Sequence, residues 1–325
     1  MQAPRIHVPP ARSATALSLG AVLPVTKLLP KPVHFVLAGG GSRGAVQWGL
    51  LQALSETDLR PDAMIGTSAG ALSGVVVAED PGSGMNRLAY IWAQLDTKFV
   101  IGDNWLSSLT NARESALMEN TAIKETLEAV VGAHEFDELA VPFATVATDL
   151  ATGLPHVMDK GPLIPALLAS SAIPGLLPPV KVDGRLLIDG LASANLPAVP
   201  AVERGAGSIV VLDTGSRSLG EMGPSARKVI ARLAASLSAV QRRNQLTQAA
   251  REVPVVLLPT PDNLGGTLDF GATMSAASET YSMAREFLLD LVRNEHRKLS
   301  PGLYLRANSS ESDVINPDLL RPVTS

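Results

Sequence analysis

Apolar positions along this chain gather in short runs, and most runs are followed by residues with helical spacing. Residues 33–38 (Val-His-Phe-Val-Leu-Ala) form a nearly unbroken apolar run between Pro32 and a glycine cluster, the pattern of a buried parallel strand. Residues 45–54 follow at helical spacing. Met64 and Ile65 then lead into Gly66-Thr67-Ser68-Ala69-Gly70, and residues 69–78 are small or β-branched, suited to a tightly buried helix. Residues 142–150, 208–213 and 253–258 read as further strands. Residues 85–95, 121–131, 162–170, 226–251 and 272–298 read as helices, with Thr121 capping the second and Gly132 ending it. Residues 181–188 form a hairpin turning at Asp183-Gly184, and Asn195 and Pro197 cap and open a helix after it. Strands alternating with helices, without internal repeats, predict a single α/β fold.

Composition narrows this picture. A chain of 325 residues with 46% hydrophobic and only 4% aromatic residues must build its core mainly from Ala, Val, Leu and Ile. The absence of cysteine excludes a disulfide framework, a thiolate metal site and a cysteine nucleophile together. A formal charge of −4 gives no reason to expect a nucleic-acid partner.

The charge is unevenly placed. Arg5, Arg12, Lys27, Lys31 and Arg43 precede the first acid, Glu56, and 14 uncharged residues separate Arg12 from Lys27. That run is shorter than the roughly 20 apolar residues a membrane span needs, and no small-x-small cleavage site follows it. Three readings stay open for residues 1–32: a basic arm resting on anionic lipid, a disordered leader, or a cleaved signal. Residues 300–325, rich in Pro, Ser and Asn, read as a mobile tail.

Two strand–turn–helix junctions carry candidate chemistry. At the second, glycines on both sides of Ser68 allow a tight turn that exposes the hydroxyl, and the helix behind it aims free N–H groups at the same place. Ser68 is the natural nucleophile. At the first, Gly39-Gly40-Gly41-Ser42-Arg43-Gly44 makes an anion cradle at a helix N-terminus. The same loop satisfies the dinucleotide fingerprint Gly-x-Gly-x-x-Gly, but the following strand ends in Gly66-Thr67-Ser68, and Asp62 lies before it rather than after it. A ribose-binding acid is therefore missing, which favours an oxyanion cradle. Asp189-Gly190, at the end of the hairpin, supplies the best-placed acid to meet Ser68, although such a pair is also an ordinary turn.

These residues give the chain a name by likeness: it resembles the patatin-like phospholipases. Residues 39–44 look like that family's oxyanion loop, Gly66-Thr67-Ser68-Ala69-Gly70 like its nucleophile elbow, and Ala169-Ser170-Ser171-Ala172-Ile173-Pro174 like its Ala-Ser-x-Ala-x-Pro block. Asp189-Gly190, with Asn195 and Pro197 beyond, resembles the catalytic-acid motif, departing from it at Leu191, where the family usually has Gly or Ala. The resemblance implies a three-layer α/β fold with a mainly parallel central sheet, in one acyl hydrolase domain over residues 33–299. It implies a serine acyl hydrolase acting on lipid acyl esters through an acyl-enzyme, with Ser68 as nucleophile and Asp189 as proton acceptor.

The oxyanion hole implied in this way comprises Gly39, Gly40, Gly41, Arg43, Gly44 and Ala69, with Gly66, Gly70 and Gly190 shaping the turns. No cofactor or metal is expected. The expected partner is a lipid or acyl-ester substrate, and the expected location is cytoplasmic with peripheral membrane contact. One rival is an α/β-hydrolase triad, for which the chain order leaves His296 as the histidine. Another is a non-catalytic lipid-binding module on the same scaffold.

Overall fold

The computed structural model describes residues 22–94, 121–174, 176–215, 226–262, 264, 273–307 and 317–323. Among these, ten strands form one sheet: β1 (Val33–Leu37), β2 (Ala63–Thr67), β3 (Phe143–Asp149), β4 (Pro155–Met158), β5 (Val180–Val182), β6 (Arg185–Asp189), β7 (Ser208–Leu212), β8 (Pro254–Leu257), β9 (Gly302–Arg306) and β10 (Leu320–Val323). The order is β10-β9-β8-β7-β1-β2-β3-β6-β5, with β4 also paired to β3. Pairings from β10 through to β3 are parallel, whereas β4, β5 and β6 join antiparallel.

Neighbouring residues of one strand face opposite cores, which makes the fold three layers deep. Phe35, Met64, Val210 and Val256 belong to one apolar cluster, and Val36, Ile65, Val211 and Val255 to the other. Both faces of the parallel strands are therefore covered, and both need apolar residues, which is why the strands read as continuous runs rather than as alternation. The first face is covered by α1 (Ala45–Ser55), α2 (Ala69–Glu79), α3 (Gly84–Gln94), α4 (Thr121–Val130), α5 (Leu163–Ser170) and α8 (Thr273–Asn294); the second is covered by α6 (Ala198–Glu203) and α7 (Ala226–Glu252).

At both ends of the chain the described residues depart from the expectation. Within the expected tail, the described residues are structured: Gly302–Arg306 and Leu320–Val323 extend the parallel sheet, with Leu303 and Leu305 buried. Residues Leu303, Tyr304 and Leu305 supply apolar side chains that the Pro, Ser and Asn around them obscured. Of the basic arm, residues 22–32 pack on the body, Val25 and Leu29 being buried and Leu23 bridging to Thr57. Residues 1–21, and with them most of the uncharged run, lie outside the described residues.

Candidate active site

The register of β3 brings Ser68 and Asp189 together. Val146 pairs with Thr67 on one side and Val157 on the other, while Ala147 pairs with Asp189 and His156. Since β4 occupies one edge of β3 at both positions, β2 and β6 share the opposite edge, meeting end to end. β2 stops at Thr67, opposite Val146, and the antiparallel β6 arrives at Asp189, opposite Ala147. The residue after Thr67 and the last residue of β6 thus converge at the C-terminal edge of the sheet, where open α/β sheets place their sites.

Ser68 occupies that junction in a conformation few side chains accept, with φ 53° and ψ −124°. It is the N-cap residue of α2, and its backbone N–H donates to Ser170 Oγ at 2.9 Å. Ser170 Oγ in turn donates to Val146 O at 2.7 Å. The Ala-Ser-x-Ala-x-Pro block therefore has a structural task, pinning the strained turn to β3. Gly66 and Gly70 complete the turn, because a Cβ on Gly70 would stand 2.3 Å from Leu37 O and one on Gly66 2.5 Å from Gly70 O.

Asp189 is fully buried. Its Oδ1 accepts the Leu191 N–H at 2.8 Å, its backbone N–H donates to Ala172 O, and its carbonyl accepts the Thr148 hydroxyl. Burial pushes the carboxyl pKa up to about 7, against the opposing pull of the Leu191 N–H and then the Ser68 hydroxyl. Oδ2 has no hydrogen-bond partner. The Ser68 hydroxyl is thus near enough to bias the carboxyl without closing a full bond to it, as is common before substrate binds. Leu191 leaves the turn intact, and Gly190 is required by space: a Cβ there would lie 2.6 Å from both Thr67 Cγ2 and Val146 O.

The glycine loop abuts the elbow. A Cβ on Gly39 would stand 2.4 Å from Asn195 Oδ1 and 3.2 Å from Ser68 Cβ, and one on Gly40 would strike the Thr214 side chain. Gly41 has φ 59° and opens a 3₁₀ turn, Gly41–Gly44, that leads into α1. Gly44 lies against Trp92 and Ala69. Gly39 corrects part of the expectation, since its N–H donates to Asn195 O at 2.8 Å and is not available to an oxyanion. Arg43 fixes the loop, its guanidinium reaching Gly215 O at 3.3 Å while its backbone N–H turns back to Gly40 O.

Several side chains that hold this loop escaped the sequence reading. Gly39 O accepts from Thr214 Oγ1 at 2.8 Å and from Asn195 Nδ2 at 3.2 Å. Asn195 is therefore a clasp on the loop rather than a helix cap; Pro197 takes the cap position of α6 without a side-chain bond. Gln47 on α1 donates to Ala38 O and Leu212 O, Gln241 on α7 accepts the Asn195 N–H at 2.9 Å, and Arg242 pairs with Asp213 at 2.5 Å. These partners lie far apart in sequence and carry no local signal.

Among the described residues no histidine joins Ser68. His296 lies beyond α8, exposed, near the N-terminal edge of the sheet. His156 sits on β4, across β3 from Asp189. His34 is buried inside β1, its pKa pushed below the usual histidine range by burial and then by Arg204. Among the described residues no cluster of His, Asp and Glu is arranged to hold a metal ion, and no helix is long and apolar enough to cross a membrane.

Comparison with known proteins adds the family. The model of the patatin-like phospholipase family matches residues 35–202. The chain belongs to the patatin-like phospholipase family. The matched span carries the glycine loop, the elbow, the Ser170 block and Asp189. Relatives include patatin-like phospholipase domain-containing protein 7 of Rattus norvegicus, 32% identical over 57% of this chain and 14% of that protein. An uncharacterized NTE family protein of Mycobacterium tuberculosis is 34% identical over 52% of this chain and 45% of its own length. The chain therefore spans less than half the length of either relative. Among solved structures, VipD from Legionella pneumophila is similar at TM-score 0.47 and 13% identity, over 80% of this chain and 67% of that one. So distant a likeness adds nothing to the family assignment.

Proposed function

We propose that this patatin-like protein hydrolyses acyl esters of lipids with Ser68 as nucleophile and Asp189 as proton acceptor. The observation that carries the proposal is the end-to-end meeting of β2 and β6, which sets a strained serine beside a buried carboxyl with a pKa of about 7. A base poised near neutral pH combines a useful ionised fraction with proton affinity, so a carboxylate so tuned can do the work imidazole does elsewhere.

In the first half-reaction Ser68 Oγ attacks the ester carbonyl while Asp189 Oδ2 takes the hydroxyl proton. The tetrahedral intermediate collapses, the alcohol leaves with that proton, and the acyl group stays on Ser68. Water then attacks the acyl-enzyme, Asp189 takes a proton from it, and collapse releases the acid and returns the proton to Ser68. The oxyanion would be met by the N–H groups of Gly40, Gly41 and Ala69, which open a 3₁₀ turn and a helix, positions whose donors find no partner within their own turn.

Turnover of a soluble nitrophenyl ester and of phospholipid by the parent, Ser68→Ala and Asp189→Asn proteins tests this reading. The parent should be active and both variants should fall by orders of magnitude while remaining folded. Undiminished turnover in either variant would remove that residue from the proposal.

A further inference from the structure

We propose that the projecting half of α7, together with the turn after β3, docks this protein on an anionic lipid surface with the candidate active site facing the bilayer. α7 leads back to β8, which runs parallel to β7, so the helix starts at the C-terminal edge of the sheet and returns to the N-terminal edge. Gln241 and Arg242 mark the level of the site, through Asn195 and Asp213. The residues of α7 before Gln241 therefore extend about 22 Å past it, at the 1.5 Å rise of a helix.

That projecting half exposes large apolar side chains. Leu233 is 58% and Leu237 61% exposed, with Val229 and Val240 about half exposed. At roughly 100° per residue these four fall within about 80° of arc, one face of the helix. Further along, the same face carries Asn244, Gln248 and Arg251, all exposed and polar. The apolar stripe thus stops where the helix comes level with the site and begins to pack on the sheet.

A second apolar group occupies the same edge. Leu150 and Leu154 lie in the turn that leaves β3, Leu186 lies on β6, and the Leu150 N–H donates to Leu186 O. Apart from Val22, the large exposed hydrophobic side chains among the described residues are all on these elements, on the side of the sheet where Ser68 stands. A monomer in water gains nothing from concentrating apolar surface in this way.

Charge selects the occupant. Between Glu221 and Glu252 the sequence has no acid, and the projecting half of the helix, residues 226–240, has Arg227, Lys228 and Arg232. An apolar stripe on an acid-free cationic helix is the combination that enters the boundary of an anionic bilayer. The inference takes its orientation from the lipid-ester reading above, but its test needs no turnover.

Vesicles of equal parts phosphatidylcholine and phosphatidylglycerol, and of phosphatidylcholine alone, provide the probe for the full chain. The parent should bind the anionic vesicles more tightly, and less tightly as salt is raised. Leu233→Gln/Leu237→Gln should bind them about tenfold or more weakly, since it removes the apolar stripe from the interface. The same variant should keep the parent's turnover of a soluble short-chain ester, so a failure of docking is read separately from a failure of the hydrolase reading. Leu237→Trp should shift its emission to the blue on those vesicles. Equal binding by the parent and the double variant, an unshifted tryptophan, or a parent dimer that the double variant dissociates would each overturn the proposal, the last assigning the stripe to a second copy of the chain.

Discussion

The two neighbouring strand–turn–helix units, β1 to α1 and β2 to α2, are built on the same plan and solve opposite problems. Both leave adjacent parallel strands at the same edge of the sheet and end in a helix. The first crosses from Leu37 to Ala45 through a run containing four glycines, keeping side chains out of the way so that backbone can stand beside Ser68. The second crosses in one residue and keeps a side chain, Ser68, in a backbone region that glycine occupies most easily. The first unit clears space, and the second stores strain of order 1–3 kcal/mol in a single residue. Both are held from outside: Asn195 and Thr214 clasp the loop, and Ser170 pins the turn.

The sharpest way to break the contrast is to take the side chain from the second unit. Ser68→Ala should lower ester turnover to background, measured on a soluble nitrophenyl ester, with the fold unchanged by circular dichroism. Ser68→Gly should be equally inactive but more stable than Ser68→Ala by about 1 kcal/mol, because φ 53° suits glycine. A thermal melt of the two variants reads that difference. An alanine variant as stable as the glycine one would show that the turn holds no strain.

Next in size is Asp189→Asn, which keeps the shape and removes the base, at a cost of about 10²–10⁴ in turnover. Its effect on stability has the opposite sign. With the folded pKa near 7 and an ordinary unfolded value of 3.8, the folded protein holds a proton that the unfolded chain has lost between those two pH values. Parental stability therefore falls as pH rises from about 4 to about 7, and Asp189→Asn removes that loss. Melts at pH 5 and pH 8 should show the variant gaining on the parent at the higher pH. A variant that does not gain would mean that the carboxyl is not the uncomfortable buried charge described here.

Smaller effects probe the loop. Gly39→Ala should cost about 1–3 kcal/mol of stability and lower activity, since its Cβ would collide with Asn195 Oδ1. Asn195→Ala removes only one of two clasps on Gly39 O, so its loss, about 1 kcal/mol, should grow more than additively when Thr214→Ala is added, a double-mutant cycle by urea melts. The least change belongs to His156→Ala and His296→Ala, which should keep turnover within a few-fold of the parent.

The elements around both turns were legible in the sequence because each is local. An apolar run bounded by glycine gives β1 and β2 to within a residue or two, and Asp183-Gly184 gives the hairpin, both residues adopting positive φ. The meeting of Ser68 with Asp189 was legible in part: the hairpin made Asp189 the best-placed acid, and the resemblance gave it a role, but the contact itself depends on β6 replacing β2 along one edge of β3. The clasps were not legible. Asn195 reaches Gly39 across 156 residues and Gln47 reaches Leu212 across 165, and a polar side chain destined for such a partner looks locally like a cap or a solvated helix position. β9 was missed for a different reason: five residues of strand sit among Pro, Ser and Asn, whose composition suggested a loose end.

The central claim is that Ser68 is activated by the buried carboxyl of Asp189, and the pH dependence of covalent labelling addresses it most directly. A fluorophosphonate ester should form a single adduct on Ser68, located by intact mass and peptide mapping, at a rate that rises through pH about 7 as Asp189 ionises. Asp189→Asn should label slowly and without that rise, and Ser68→Ala should not label. An adduct on another residue, or a labelling rate in Asp189→Asn that matches the parent across the pH range, would contradict the account.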